Sequence, residues 1–477
     1  VVDIGATLTI EPGVDVLFDA DVQFVVNGVL RAVGTPNDSI RFLAGNAARW
    51  RGIRIMGWDS SSIAYARISG ANARGDASDN RGGGLYAGFG SRVSVANAVF
   101  SGNFAIYGSG VYCDGARLVT LTDCVILSNL ARYGGGVGNS TETPLARLHM
   151  EGCTISGNSA QYGGAGIYNR SSSTAVATLT MTNCTVSDCQ SDSQTEAGNG
   201  GGVWNDGDLR LDGCTISGSA ANRGAGLYNG VGGSVAMVNC LIFGNSAAVA
   251  GGGWYNETAA ALTMANCTVT GNSSYSSSGI ANYGTASIVN SIVYANPSSS
   301  PQLVGGDLAV NYSDVQWVAG VPGTGNINAD PLFLAAGTDS MRLHSTSPCR
   351  DTGDPASPLD PDGSRADMGA WPFDPTLAVE GPLVPLRFLV LHNAPNPFNP
   401  STTIRFTLPE ASPVRLVVYD VRGALVRTLA DGSYQPGAHS VVWDGLDRSG
   451  RACASGVYVY RLTTTQGVVT RRMVLLR

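Results

Sequence analysis

A short phrase, Cys-Thr-Ile-Ser-Gly-Asn, returns with small changes along the middle of this 477-residue chain, and its recurrence limits the fold more than any other feature. The cysteines that open it are Cys124, Cys153, Cys184, Cys214, Cys240 and Cys267, with Ala98 and Ser291 in the same slot at either end. An asparagine follows at Asn103, Asn129, Asn158, Asn245, Asn272 and Asn296. Glycine clusters interleave with these marks, among them Gly163-Gly164-Ala165-Gly166-Ile167-Tyr168-Asn169 and Gly251-Gly252-Gly253-Trp254-Tyr255-Asn256. A period of 26 to 31 residues between cysteines is the mark of a solenoid or array.

Helical repeats need apolar residues at 3.6-residue spacing over ten or more positions. Here the apolar runs are short, alternate with polar residues and stop at Gly, Asn or Ser, as in Leu179-x-Met181 and Leu262-x-Met264. A propeller blade needs roughly 40 residues, and a leucine-rich repeat would show its consensus. The expectation is therefore an all-β chain built on a parallel β-helix, with coils stacked about 4.8 Å apart so that equivalent side chains form columns. Cysteine suits an inward column because it behaves as a small buried hydrophobe. Asparagine suits a second, since its amide both donates and accepts and can bond its copies above and below. It also tolerates the left-handed backbone that the preceding glycine prepares. The turns at Ser187-Asp188-Cys189 and Ser217-Gly218-Ser219 break the asparagine column over two coils, and a loop insertion is expected to bulge at Gln190 to Ala197.

The 63 glycines and the low share of charged residues, 14%, suit stacked turns better than a helical enzyme. A net charge of −7 argues against a nucleic-acid surface or an anionic-membrane patch. No apolar run approaches the roughly 18 residues of a transmembrane helix. All 29 basic residues are arginine, which removes lysine chemistry from consideration. Neighbours in the cysteine column would sit about 4.8 Å apart at Cβ, beyond the roughly 3.5–4.5 Å that a disulfide wants, so buried thiols are expected there. Four thiolates along a line cannot make the zinc tetrahedron. Cys113, Cys189, Cys349 and Cys453 lie off the column and are open to either state.

The shaft is expected over residues 1–371, with an irregular closing segment from about 297. Its first strand starts almost at Val1, and truncation, processing or end-to-end stacking would each account for a bare end. Residues 372–392 carry four prolines and read as a semi-rigid linker. Residues 393–477 read as a small β-sandwich with strands at 403–408, 414–419, 424–429, 438–443, 456–463 and 468–476.

Gly163-Gly164-Ala165 with Ile167, and Ile155-Ser156-Gly157-Asn158, resemble the repeat marks of chlamydial polymorphic outer-membrane proteins. This resemblance covers roughly residues 80–296 and implies a right-handed β-helix. The C-terminal region resembles the type A sorting domain of type IX secretion and the related immunoglobulin-like domain of the flagellar hook-cap protein. The matching residues are Asn396-Pro397-Phe398-Asn399-Pro400 through Ile404, Val418 to Gly423, Trp443-Asp444-Gly445 with Asp447 and Gly450, and Ser455 to Tyr458. It implies export across the outer membrane, with the secretion machinery as partner and the bacterial cell surface or the medium as destination.

Glycoside hydrolysis on such a shaft would need two facing carboxyl groups, and a lyase would add Ca²⁺ with an Arg or Lys base. The repeat carboxylates Asp123, Glu151, Asp188, Asp212 and Glu257 stand apart in the sequence, and no catalytic set is assigned. Of four histidines, His149 is expected on a strand face, while His344, His392 and His439 lie near or beyond the shaft's end. Asp360 and Asp362 could offer oxygen ligands to calcium, the one cofactor considered; a metal-free acidic turn is the plainer reading. Tyr86, Tyr112, Tyr168, Trp204, Tyr228 and Trp254 are expected to form an aromatic column, for stacking or, if outward, as a sugar platform. The functional expectation is a secreted or surface-attached adhesive or structural shaft, not an enzyme, with a surface glycan or self-association as further partners. The alternatives are an extracellular polysaccharide lyase or hydrolase and a head-to-tail filament subunit.

Overall fold

The computed structural model describes the chain apart from residues 46–49, 75–79, 141–145, 193–196, 298–300, 317–322, 335–340, 375–390, 395–397, 409–410, 421–422, 436, 466 and 476–477. One coil shows the plan. Val137–Ser140 lies in sheet I, Arg147–Glu151 in sheet II, Thr154–Ser156 in sheet III and Ser159–Gly163 in a short sheet IV, before Ile167–Arg170 returns to sheet I. Repetition gives 11 strands in sheet I, 12 each in sheets II and III and 7 in sheet IV. Neighbouring coils pair in parallel, Arg147 with Thr178 through Glu151 with Thr182, for example. This is a parallel β-helix.

The strands are short because three corners in each coil require a left-handed residue; between sheets IV and I it is Gly82, Gly108, Gly134, Gly164, Gly200, Gly224, Gly251 and Ser277. Between sheets II and III it is the residue before each column cysteine: Asn97, Asp123, Gly152, Asn183, Gly213, Asn239, Asn266 and Asn290 all have positive φ. Between sheets III and IV it is Gly102, Ser128, Gly157, Asp188, Gly218, Gly244, Gly271 and Ala295. The ladder asparagines themselves are not left-handed, which corrects the expectation from sequence. Reversing the chain one residue earlier lets each asparagine keep an ordinary backbone and turn its amide inward. Gly, Asn and Asp are the residues for which positive φ costs least, and they fill most of these corners.

Inward positions alternate with outward ones along sheet II, so Leu121, Met150, Met181, Leu211, Met237, Met264 and Ile288 fall in one column by register. Each is at most 2% exposed. The six column cysteines are equally buried, and all ten cysteines are free thiols. Cys124 and Cys184 are pushed well above the usual thiol range by the adjacent Cys153 sulfur and by burial, which keeps them neutral.

The regular coils continue past Asn296. Leu303–Val304, Asp307–Asn311 and Asp314–Val315 extend sheets I, II and III by one more turn, so the irregular stretch begins later than the fading sequence marks suggest. The following segment folds back on the shaft: the Ala370 amide donates to Thr268 Oγ1 and the Gly369 amide to the Asn290 carbonyl. The expected insertion starts beyond Ser191, because Gln190–Ser191 is an ordinary strand of sheet IV; residues 193–196 lie outside the described part.

Residues 1–381 form one compact unit and 382–477 a second. The second contains a three-stranded antiparallel sheet, Leu391–Ala394, Thr402–Leu408 and Gly437–Trp443, and a four-stranded one, Ser412–Asp420, Leu425–Tyr434, Gly456–Thr464 and Gly467–Leu475. All six strands expected from sequence are present. A seventh starts at Leu391, two residues inside the segment read as linker, most of which lies outside the described residues.

Candidate functional site

The polar groups inside the shaft are organised as ladders. At the corner between sheets III and IV, Asn129 Oδ1 accepts from both the backbone N–H (3.0 Å) and the Nδ2 (3.1 Å) of Asn103, and Asn158 Oδ1 does the same for Asn129. The ladder resumes from Asn245 through Asn272 to Asn296, whose N–H ends on Gln302 Oε1 at 3.0 Å. In the two coils between, Cys189 and Ser219 take the slot, and Ser219 Oγ and Asn245 Oδ1 keep the backbone donors bonded.

A second amide ladder lies inside sheet I, and it was not read from the sequence. Asn139, Asn169, Asn205, Asn229, Asn256 and Asn282 are joined Nδ2 to Oδ1 at 2.7–2.8 Å and are fully buried. The signal was present: on a strand with period two, if Tyr168 points out, both Ile167 and Asn169 must point in. Cys113 occupies the same column one coil before Asn139, whose Oδ1 is buried without a partner.

The outward column of sheet I holds the most chemically distinctive row of side chains, its tyrosines only 3–9% exposed. Pairing aligns Arg54, Tyr86, Tyr112, Gly138, Tyr168, Trp204, Tyr228 and Tyr255. Trp254, expected in this column, points into the core and is fully buried; Tyr255 takes its place, since adjacent strand residues face opposite ways. Rings in the column meet at 5.1–6.2 Å, as in the pairs Tyr86–Tyr112, Trp204–Tyr228 and Tyr228–Tyr255. A flanking row of Tyr107, Tyr133 and Tyr162 packs at 5.3 Å spacing, and Tyr133 also meets Tyr168 at 5.3 Å. Such pairs contribute about 0.5–1.5 kcal/mol each beyond their area burial.

Arginines and carboxylates interleave with these rings. The Arg54 guanidinium lies 4.0 Å over the Tyr86 ring, and Arg81 pairs with Asp114 at 2.6 Å. Asp114 also accepts from the Tyr86 hydroxyl at 2.8 Å, and Glu257 from the Tyr228 hydroxyl at 2.9 Å. Burial, reinforced by these carboxylates, raises both phenols well above the ordinary range, and Tyr255 is pushed up to about 12 by burial and then Glu257. The phenols therefore stay protonated as donors at any physiological pH. Trp58 and Phe89, both in the exposed class, meet edge to face at 5.8 Å.

The other expected site residues disperse. Asp123 and Asp188 are corner residues, Asp212 Oδ1 accepts from Asn239, Glu257 serves Tyr228, and Glu151 is exposed. His149 stands on sheet II between Thr120 and Thr180, on the outer face. His344 Nδ1 lies 2.8 Å from Thr346 Oγ1 and His439 Nε2 2.7 Å from the Gln435 carbonyl; the side chain of His392 is outside the described part. Asp360 Oδ2 accepts from the Asp367 N–H, and Asp362 Oδ1 from the N–H and hydroxyl of Ser364. Burial raises Asp360 to about 6, whereas the Ser364 bonds lower Asp362. Their oxygens close the turn, and among the described residues no group of three or more His, Cys, Asp or Glu side chains converges as a metal site.

In the terminal unit Phe398 is buried against Trp443, whose Nε1 donates to the Leu446 carbonyl at 2.9 Å. Asp444 Oδ1 accepts from the Leu446 N–H and from Arg427, and Gly445 supplies a left-handed turn residue. Asn399 and Pro400 are exposed, and Asn396 and Pro397 lie outside the described residues. The motif residues that are described thus build the core edge and turns of this unit.

Comparison with known proteins agrees with both units. Residues 398–467 match the FlgD Ig-like domain. No curated protein matches the chain. Among solved structures, PorZ, an essential bacterial surface component of the type-IX secretion system of Porphyromonas gingivalis, is similar at 20% identity over 18% of this chain and 11% of its own, with a TM-score of 0.15. The chain thus spans about a tenth of PorZ. Pectate lyase Pel9A is similar at 13% identity over 78% of this chain and 89% of its own, with a TM-score of 0.37. The enzymatically active domain of bacteriophage CBA120 tailspike protein 4 is similar at 10% identity over 98% and 64%, with a TM-score of 0.29. The model of the right handed beta helix region matches residues 51–179 and 163–296, more than half of the sequence, and the chain belongs to that family.

Proposed function

We propose that this protein is an adhesive or structural shaft for the bacterial surface, exported by a type IX-like route through its terminal immunoglobulin-like unit. The observation that carries the reading is the division of labour in the shaft. Its buried amides and thiols are taken up by ladders and its repeat carboxylates stand apart, at corners, against Asn239 or Tyr228 or in solvent, while rings and guanidinium groups gather along the outer side of sheet I. The tyrosines of that row are themselves only 3–9% exposed and stiffen the shaft, while Trp58 and Phe89, just beyond the sheet I strands Ile53–Ile55 and Leu85–Ala87, stand exposed, and exposed aromatics are what contact surfaces favour. The match to the FlgD Ig-like domain supports a separate role for the terminal unit in export or attachment.

The test has two arms. Removing residues 391–477 in the producing organism is expected to abolish surface display while the shaft still accumulates inside the cell. The purified full chain, offered a broad polysaccharide panel with and without Ca²⁺, is expected to bind without shortening the polymer. Release of oligosaccharides would replace the adhesive reading with a lyase or hydrolase, and fibres in electron micrographs of native material would replace it with a filament subunit.

A further inference from the structure

The rings along the outer side of sheet I touch one another in an unbroken line. From Tyr283 the contacts run through Tyr255, Tyr228 and Trp204 to Tyr168, with centroids 5.1–5.6 Å apart. Where Gly138 leaves the column without a ring, the flanking row closes the line: Tyr168 meets Tyr133, Tyr133 meets Tyr107 and Tyr107 meets Tyr112. Of these rings only Tyr283 stands in the exposed class, at 49%, while Tyr228 and Tyr255 are buried and Trp204 is partly buried against them.

Stacking needs no acid beside a ring, yet two neighbours in this line each donate to a carboxylate. Trp204 Nε1 donates to Asp206 Oδ1 at 2.8 Å, and the Tyr228 hydroxyl to Glu257 Oε1 at 2.9 Å. Asp206 fills the space over Gly230, where a Cβ would collide with its Oδ1, so the glycine is what lets the acid lie there. In the resting protein both protons stay on the rings. Loss of one electron turns a phenol or an indole into a strong acid, and a carboxylate at hydrogen-bond reach, about 2.6–3.2 Å, is placed to take the proton at that moment. The line thus joins an exposed entry ring to two buried or half-buried rings that each have a base in contact.

We propose that this line is a radical relay, which takes one-electron oxidation from the surface at Tyr283 and brings it to rest at Trp204. A one-electron oxidant in the medium, of the class of peroxidase-derived radicals, removes an electron from Tyr283, whose hydroxyl proton goes to water. Tyr228 refills Tyr283 through the intervening Tyr255 ring, Tyr283 takes its proton back, and the Tyr228 proton crosses to Glu257. Trp204 then refills Tyr228, the proton returns from Glu257, and the indole proton crosses to Asp206. The balance is one reduced oxidant, one neutral indolyl radical and one protonated Asp206. What the relay spares is the core, where Cys240 and Cys267 stand at the corner between sheets II and III and Met237 and Met264 point inward from sheet II. Thiols and thioethers are the side chains that oxidants otherwise convert. The relay goes beyond the adhesive reading and does not rest on it.

The test is flash oxidation of the full chain by photogenerated ruthenium(III) tris-bipyridine, a bulky one-electron oxidant, with a cobalt(III) quencher. Oxygen added at each tryptophan is mapped by mass spectrometry, and free thiols are counted after unfolding. Trp204 is expected to be oxidised, and Trp58, 66% exposed and in no contact with the line, is the internal control. Tyr228→Phe keeps the ring and its packing but not the oxidisable phenol. It is expected to abolish oxidation of Trp204, leave that of Trp58 unchanged and increase the loss of thiols. Asp206→Asn keeps an acceptor for the indole N–H but not a base, and is expected to do the same, which a purely structural role of the hydrogen bond would not. Oxidation of Trp204 that persists in either variant, a wild-type protein in which Trp58 is oxidised and Trp204 is not, or thiol loss equal in wild type and variants would each overturn the relay.

Discussion

The shaft contains two asparagine ladders that use the same side chain for different purposes. At the corner between sheets III and IV, each amide oxygen takes two donors from the previous coil, one of them a backbone N–H. Inside sheet I, each amide bonds the next amide and donates to carbonyls where the chain leaves for sheet II, as Asn229 does to Gly233 and Ala261. The corner ladder therefore satisfies turn backbone that could not otherwise pair, and the inner ladder ties one sheet to the next turn. A buried N–H left without a partner is rarer and costlier than a carbonyl left with one lone pair unused. The two ladders also fail differently: the corner tolerates Cys189 and Ser219 mid-stack, whereas the inner one runs unbroken once it starts at Asn139.

The largest expected effect comes from breaking the corner. Asn158→Leu strips the acceptor from both the N–H and the Nδ2 of Asn129 and the donor from the Ile126 carbonyl. At about 1–3 kcal/mol for each buried unsatisfied group, the loss should approach roughly 5 kcal/mol, read as earlier denaturant unfolding and faster hydrogen exchange in adjacent coils.

A pH experiment separates amides from a buried acid. Asp314 is fully buried where sheet III ends, accepts from the Ala329 N–H at 3.1 Å and lies 3.4 Å from the Cys349 sulfur. Burial raises its carboxyl to about 7. Because the folded value lies above the unfolded one, the protonated form is favoured by folding. Its contribution is complete below about pH 4 and is lost as the pH rises through 7. The difference is at most about 4 kcal/mol, and Asp314→Asn should flatten this part of the stability–pH profile while leaving the asparagine ladders untouched. A variant with an unchanged profile would show that the acid is not the group being titrated.

Breaking the inner ladder should cost less. In Asn229→Leu the lost bonds go to carbonyls and to the Asn205 amide, which keeps the Gly207 and Ser234 carbonyls as acceptors. About 2 kcal/mol is expected, and a loss as large as that of Asn158→Leu would erase the distinction between the ladders. The smallest effect is a gain. Cys113→Asn would give the unpartnered Asn139 Oδ1 a donor, and Cys189→Asn would restore the corner amide; each should raise the unfolding midpoint by an amount equivalent to about 1 kcal/mol.

Much of this was legible in the sequence, and the reasons are local. The column of Cys124 to Cys267 and the corner asparagines repeat because each slot admits few residues: one small and apolar, the other an amide beside a left-handed turn. The left-handed residues before the cysteines, Asn97 and Asp123 among them, carried the same signal, but their mixed identities obscured it. The strands of the terminal unit showed through alternation and turn residues. Less legible was the direction each side chain faces. Trp254 and Tyr255 are both aromatic and adjacent, and only the pairing of Leu227 with Trp254 sends one inward and the other out.

The sequence by itself determined that this chain winds into stacked β-coils with columns of thiols and amides, since period, turn chemistry and side-chain size are written residue by residue. The tertiary structure decided which columns face the core and which face water, because in a strand a shift of one residue exchanges the two faces. It also decided that Gly138, one of 63 glycines, is the one that interrupts the outer tyrosine column of sheet I and lets Tyr112 lean over it, a fact of register between coils 26 and 30 residues apart along the chain.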